Sequence, residues 1–204
     1  MDRLPAVIST PVRVAAVMAA VLACDGKSDP GTGAPPGRTN GAKVHVAQTA
    51  TTEAFCDVHA GDERGTVFRW PELAAGSAAP SAATGWRWVN VWATWCKPCV
   101  AEMPRLAGWR DKLAAAGKRV ELTFVSVDES DAEVAEFRRD HPDAPPSLRV
   151  AGSAQRTAWL RALGLSDGAI PIHLFVSPAN RLRCARAGEI REQDVGVVGK
   201  LLAE

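Results

Sequence analysis

Cys96 and Cys99, with Lys97 and Pro98 between them, are the residues of this 204-residue chain best suited to covalent chemistry. Two sulfurs at this spacing come within bonding reach of each other. A pair that opens and closes is a two-electron couple able to exchange with other disulfides. The same spacing serves zinc ribbons, which need two further ligands at suitable positions. Here the other candidates, His45, His59, His141, His173, Cys56 and Cys184, are isolated along the chain. No metal and no cofactor are therefore expected, and redox chemistry is the reading the spacing favours.

The surrounding pattern places the pair where such chemistry works. Trp86–Trp92 (WRWVNVW) is a strand heavy in β-favouring residues. A helix is predicted from about Pro98 to Ala116, with Val100, Met103, Leu106, Ala107, Arg110 and Leu113 at helical spacing. Pro98 sits near its start, where a missing N–H is harmless. Cys96 then meets unsatisfied backbone donors and the positive end of the helix dipole. Both favour the thiolate, which is the attacking species. Cys96 can attack a substrate disulfide and Cys99 can resolve the mixed disulfide. Lys97 adds a nearby positive charge of small effect.

The remaining elements read as an α/β domain from Val44 onward. Thr66–Trp70 alternates and predicts a strand, with Gly61 and Gly65 framing a turn before it, and Ala74–Gly85 is a loop. Pro104 should kink the helix that holds it, and Gly117 is placed to cap its end. Val120–Asp128 is the best buried-strand candidate. Ser130 with Glu133 forms a capping box opening a helix through Val134 and Phe137, which the prolines of His141–Ser147 end. Ser153 is expected to cap a helix carrying Trp159 and Leu160. Ile172–Val176, the turn at 177–180 and Arg181–Arg186 make a hairpin, and Gln193–Leu202 a terminal helix. This order predicts a mixed central sheet with helices on both faces, preceded by an N-terminal extension.

The segment Trp92–Pro104, W-A-T-W-C-K-P-C-V-A-E-M-P, resembles the TlpA/ResA/CcmG-type branch of the thioredoxin superfamily, over about Trp70 to Leu202. The element order is similar to thioredoxin's too. The resemblance implies an exported, often membrane-anchored thiol–disulfide oxidoreductase. It implies that Asn90 stands where thioredoxin has a buried Asp, and that Glu102, one turn beyond Cys99, carries protons for Cys99; a plain surface Glu is the alternative. It makes Gly168-Ala169-Ile170-Pro171 the segment opposite the cysteines, with Pro171 cis and the Ile170 backbone free to pair with a substrate chain. A trans proline starting a strand is the alternative there. His173 replaces the family's common Thr, either as a core residue or as a modulator of the site. Trp95 is expected to pack beside the cysteines and limit solvent access. Trp70, Trp86, Trp88, Trp109 and Trp159 read as core or half-buried packing. As substrates the resemblance implies apocytochrome c haem-binding cysteines or copper-site assembly proteins, with electrons from a membrane thiol donor.

The N-terminus bears on location. Arg13 precedes a short apolar run, Val14–Ala23, that fits a secretory h-region better than a spanning helix. Val21-Leu22-Ala23-Cys24 resembles a bacterial lipobox, which implies a signal peptide over 1–23 and a lipid on Cys24. By resemblance to proteobacterial lipoproteins, Asp25 implies inner-membrane retention, hence the periplasmic side. Residues 24–43, rich in Gly, Pro, Ser and Thr, read as a flexible tether to a thioredoxin-like domain over 44–204. With Cys24 lipidated, four of the five cysteines remain. Setting aside Cys96 and Cys99 leaves Cys56 and Cys184 for a structural bridge, as an oxidising compartment favours. A relay in which one of them resolves Cys96 is the competing idea.

A net charge of +1 without a long basic run offers no nucleic-acid surface. A peroxidase would need an activating Thr and Arg around the cysteine, and Thr94 lies only two residues before Cys96. Three readings stay beside the disulfide reductase: an oxidant of the same fold, a copper-binding chaperone using His173 as third ligand, and a non-enzymatic lipoprotein, which leaves Trp95–Glu102 unexplained.

Overall fold

The computed structural model describes residues 51–61, 64–81, 84–166 and 168–203. The expected signal peptide (1–23), the tether (24–43) and the lipidation site Cys24 lie outside the described residues.

At the centre runs β2 (Trp86–Trp92), whose β-branched and aromatic residues are buried from Arg87 to Trp92. Successive strand side chains point to opposite faces, so continuous burial means that both faces of the sheet are covered. Among the described residues, β1 (Val58–His59), β3 (Val120–Ser126), β4 (Ser147–Arg149), β5 (Ile172–Val176) and β6 (Leu182–Ala187) complete one sheet in the order β1-β6-β5-β2-β3-β4. β2, β3 and β4 run parallel, while β5, β6 and β1 pair antiparallel. Parallel neighbours need long crossovers. Helix α2 (Lys97–Ala115) supplies the one from β2 to β3, and α3 (Asp131–Asp140) the one from β3 to β4. α4 (Ser153–Ala162) leads toward β5, with α1 (Thr52–Phe55) and α5 (Val195–Leu201) at the two ends of the described chain. The architecture is a thioredoxin-like α/β fold.

Side-chain packing follows from the register. Trp88 and Phe175 are partners across β2 and β5, so they share a face, with ring centroids 5.0 Å apart. Trp109 of α2 and Phe55 of α1 close over them. α2 remains one helix through Pro104. It ends in a Schellman arrangement: Gly117, at φ +77°, donates to Ala114 O while the Lys118 N–H reaches Leu113 O. Ser130 and Glu133 form the capping box of α3. Arg149, at the end of β4, hydrogen-bonds Asp131 in the first turn of α3 and draws its carboxyl below the ordinary value.

Three elements differ from expectation. Thr66–Trp70 makes a single bridge, Val67 to Arg181, instead of a strand. Its alternation is real, since Phe68 is buried between exposed Val67 and Arg69. However, the stretch of chain around β1 takes most of the free edge of β6, with Ala60 N–H on Arg183 O, and only Leu182 N–H remains for Thr66 O. Ser153 is the first residue of α4, not its cap; Gly152 occupies the cap without a side-chain bond. Val120–Asp128 pairs only as far as Ser126, and Asp128 leaves the sheet for the site described below.

Cys56 and Cys184 are joined, with Cα atoms 5.5 Å apart across 128 residues of sequence. The bond ties the α1–β1 extension to β6. Closing so long a loop stabilises by about 3–5 kcal/mol in the chain-entropy model. Replacing both cysteines by Ala should lower the free energy of unfolding by about that amount, read from urea denaturation beside the parent. An unchanged midpoint would show that the bridge contributes nothing.

Candidate active site

β2 stops at Trp92, and the chain turns through Ala93, Thr94 and Trp95 into α2. Asp128, 2% exposed, holds that turn from the end of β3. Its carboxylate accepts the Thr94 N–H on both oxygens at 3.1 Å, the Thr94 hydroxyl at 2.8 Å and the Ser126 hydroxyl at 2.7 Å. Parallel pairing of β2 with β3 brings Trp92 beside Ser126, which is why the next turn falls within reach of Asp128.

Cys96 is the N-cap of α2. Its Sγ accepts the backbone N–H of Cys99 at 3.3 Å, so a sulfur satisfies one of the orphan donors of the first turn. Pro98 lies in that first turn. Cys96 and Cys99 are bonded to each other. Cys96 is 5% exposed and Cys99 fully buried, so the two sulfurs are unequal: a partner can approach only the first. Lys97 and Pro98 are exposed beside it. Trp95 is 63% exposed, which corrects the expectation that it covers the cysteines. The turn directs it outward, whereas Trp92 is buried, its Nε1–H donating to Ser147 Oγ at 2.9 Å.

The Ile170–Pro171 peptide bond is cis. Ile170 O lies 3.8 Å from Cys96 Sγ, so this segment borders the more accessible sulfur. The Pro171 carbonyl accepts the Gly188 N–H at 2.8 Å, which fixes the segment from β6.

Beneath the cysteines lies a buried polar cluster. Glu102 sits one helical turn beyond Cys99 and is fully buried, not a surface residue. One carboxylate oxygen accepts the Asn90 amide N–H at 2.9 Å, and the other the Ile190 backbone N–H at 3.0 Å. His173 Nε2 is 3.2 Å from the first oxygen, and its Nδ1 accepts the Trp88 indole N–H, also at 3.2 Å. Asn90 and His173 are register partners on β2 and β5, which puts them on one face with Trp88. Arg105, one turn further along α2, donates to Ile190 O and so braces the backbone that binds Glu102. Among the described residues, no three His, Cys, Asp or Glu side chains gather to hold a metal ion.

The structure thus brings together Cys96, Cys99, Glu102, Asn90, His173, Ile170 and Pro171, and sets the Cys56–Cys184 bond in another part of the fold. Sequence reasoning missed the clamp of Asp128, Thr94 and Ser126. An Asp directly after a buried strand run, at the carboxyl end of a parallel strand, was the signal available, since sites in open α/β sheets form there.

Residues 87–178 match the family model described as Thioredoxin-like, and this stretch is a thioredoxin-like domain. Over 49 residues, 24% of the chain, it is 39% identical to the thioredoxin-like protein YneN of Bacillus subtilis (strain 168), spanning 29% of that relative's length. Among solved structures, the thioredoxin-related protein from Neisseria meningitidis serogroup B aligns with a TM-score of 0.50 at 23% identity, over 66% of this chain and 98% of that one. A secreted thiol-disulfide isomerase from Corynebacterium glutamicum aligns with a TM-score of 0.47 at 24% identity, over 59% of this chain and 72% of that one.

Asp128→Ala removes a buried carboxylate that three donor groups share, and hydrogen bonds to charged groups contribute about 1.5–3 kcal/mol each. The variant should lose roughly 2–4 kcal/mol of stability in urea denaturation and should exchange thiols for disulfides more slowly at temperatures where it is still folded. Parent-like behaviour in both would show that the clamp is dispensable.

Proposed function

We propose that this chain is an exported thiol–disulfide oxidoreductase that reduces disulfides of other exported proteins by exchange at Cys96 and Cys99. One observation carries the reading: Cys96 Sγ receives a helix N-terminal N–H at the only partly accessible sulfur of the pair, while Cys99 is held in reserve behind it. In the reduced protein that donor and the helix dipole favour the Cys96 thiolate. The thiolate attacks a substrate disulfide, forming a mixed disulfide and releasing one substrate thiolate. Glu102 then takes the proton of the Cys99 thiol, acting as general base from a buried position one turn away. Cys99 attacks Cys96 Sγ, closes the Cys96–Cys99 bond and expels the second substrate sulfur. Two electrons have passed to the substrate. The Ile170–Pro171 segment presents the substrate backbone to Cys96, and Asn90 steadies Glu102.

The finer parts of the proposal come from the Trp92–Pro104 motif and the N-terminal run. The substrates are apocytochrome c or copper-site assembly proteins, and a membrane thiol donor returns the electrons. A lipid on Cys24 holds the domain on the periplasmic side of the inner membrane. The Cys56–Cys184 bond is structural, outside the exchange.

Cys99→Ala should accumulate a mixed disulfide on Cys96, seen as a reducible higher-mass species in cells, while Cys96→Ala should trap nothing. Identical gels for both variants would remove the mechanism. Glu102→Gln should slow closure of the Cys96–Cys99 bond on the order of a hundredfold, measured by rapid quench with an alkylating agent, and a rate equal to the parent's would exclude Glu102 as the base. Cys24→Ala should move the protein from the membrane to the soluble fraction; retention would exclude lipid anchoring at that residue.

A further inference from the structure

Two buried polar atoms without a hydrogen-bond partner meet at Glu102: His173 Nε2 and Asn90 Oδ1. Nε2 lies 3.2 Å from a Glu102 oxygen without pointing in line at it. The other ring nitrogen is committed, because an indole N–H is a donor only and Nδ1 receives it from Trp88. In the neutral ring the hydrogen must then sit on Nε2, facing the carboxylate. Trp88, His173 and Glu102 form a chain in which an uncharged indole dictates which imidazole nitrogen meets the acid. Each member is fully buried, and at such depth an uncompensated donor or acceptor is costly.

We propose that His173 is a positioning residue for the exchange. Its Nε2–H stands beside the two donors that bond Glu102, Asn90 and the Ile190 N–H, and holds the carboxylate in place to take the Cys99 proton. This deepens the reading above and rests on Glu102 being the base. The balance is simple. The Cys99 thiol gives its proton to Glu102, and the Cys99 sulfur bonds to Cys96 as the bond from Cys96 to the substrate breaks. The departing sulfur carries the electron pair away as a thiolate. His173 neither gains nor loses a proton; its hydrogen follows the carboxylate as a donor. Asn90 can serve both states of the acid, since its unpartnered Oδ1 becomes an acceptor for the Glu102 O–H if the amide turns over.

Arg186 on β6 stands opposite His173 in the register, with its guanidinium bonded to Phe55 O of α1. Arg105 on α2 bonds Ile190 O and pairs with Glu189. Trp88 and Asn90, from β2, are uncharged.

The test uses the reduced full chain and a dithiobis(nitrobenzoate) disulfide, which releases coloured thiolate twice, first on attack by Cys96 and again when Cys99 resolves the adduct. His173→Leu should slow the second release on the order of tenfold and leave the first unchanged. His173→Gln, which still offers an N–H near that position, should restore the rate, and Trp88→Phe should fall between the two. His173→Leu matching the parent in the rate of the second release overturns the proposal, as does His173→Gln being as slow as Leu. If His173→Leu fails to fold, seen as loss of the first release, the Gln and Trp88→Phe variants decide. A parent with no second release overturns the exchange mechanism itself and this inference with it, an outcome distinct from any variant result.

Discussion

A sulfur caps helix α2 where Ser, Thr or Asp would ordinarily stand. The Cys99 N–H points at Cys96 Sγ, and the rest of the site is arranged so that this contact can exist. For Cys96 to reach the cap position, β2 must end at Trp92 and the next three residues must turn tightly. That turn is short of partners of its own, so the carboxylate of Asp128 supplies them from the neighbouring parallel strand. The helix must also begin at once, which Pro98 in the first turn favours because its fixed φ is already helical. The sulfur's chemistry therefore derives from backbone geometry: an orphan donor and the dipole of a nineteen-residue helix act on an atom that can carry negative charge.

Glu102 presents the opposite problem. A carboxylate with no exposure is costly unless donors surround it; here Asn90 on β2 and the Ile190 backbone after β6 hydrogen-bond it, and His173 Nε2 on β5 lies 3.2 Å away. Asn90 precedes Glu102 by 12 residues and the Ile190 backbone follows it by 88. The sheet register assembles the cluster, because Asn90 and His173 are direct cross-strand partners and α2 lies over their face. The cis Ile170–Pro171 segment leads into the same β5 strand that carries His173. One strand thus bears on both sulfurs, bordering Cys96 at its start and facing the acid beneath Cys99 two residues later.

Much of this was legible in the chain. The aromatic and β-branched run before Cys96, the helical spacing after it, the capping box at Ser130 and the glycine at 117 are local signals, and each element lies where its signal placed it within a residue or two. The readings that failed concern residues whose fate depends on a neighbour distant in sequence. Thr66–Trp70 has strand alternation but only the first residue of β6, Leu182, left to pair with. Trp95 looks like a lid by type, yet the turn held by Asp128 aims it at solvent. Asp128 itself looked like the end of a strand, because nothing near it in sequence shows that Thr94 will lie beside it.

The amino-acid sequence by itself determined the reacting pair, the helix that activates it and the strand that delivers it, since spacing, propensity and capping act over a few residues and need no partner. Tertiary structure alone decided which sulfur meets solvent, that Glu102 is buried and how the imidazole of His173 is oriented toward it. Those outcomes rest on strand register and on the desolvation that packing imposes, and both arise only when segments far apart in the chain are brought into contact.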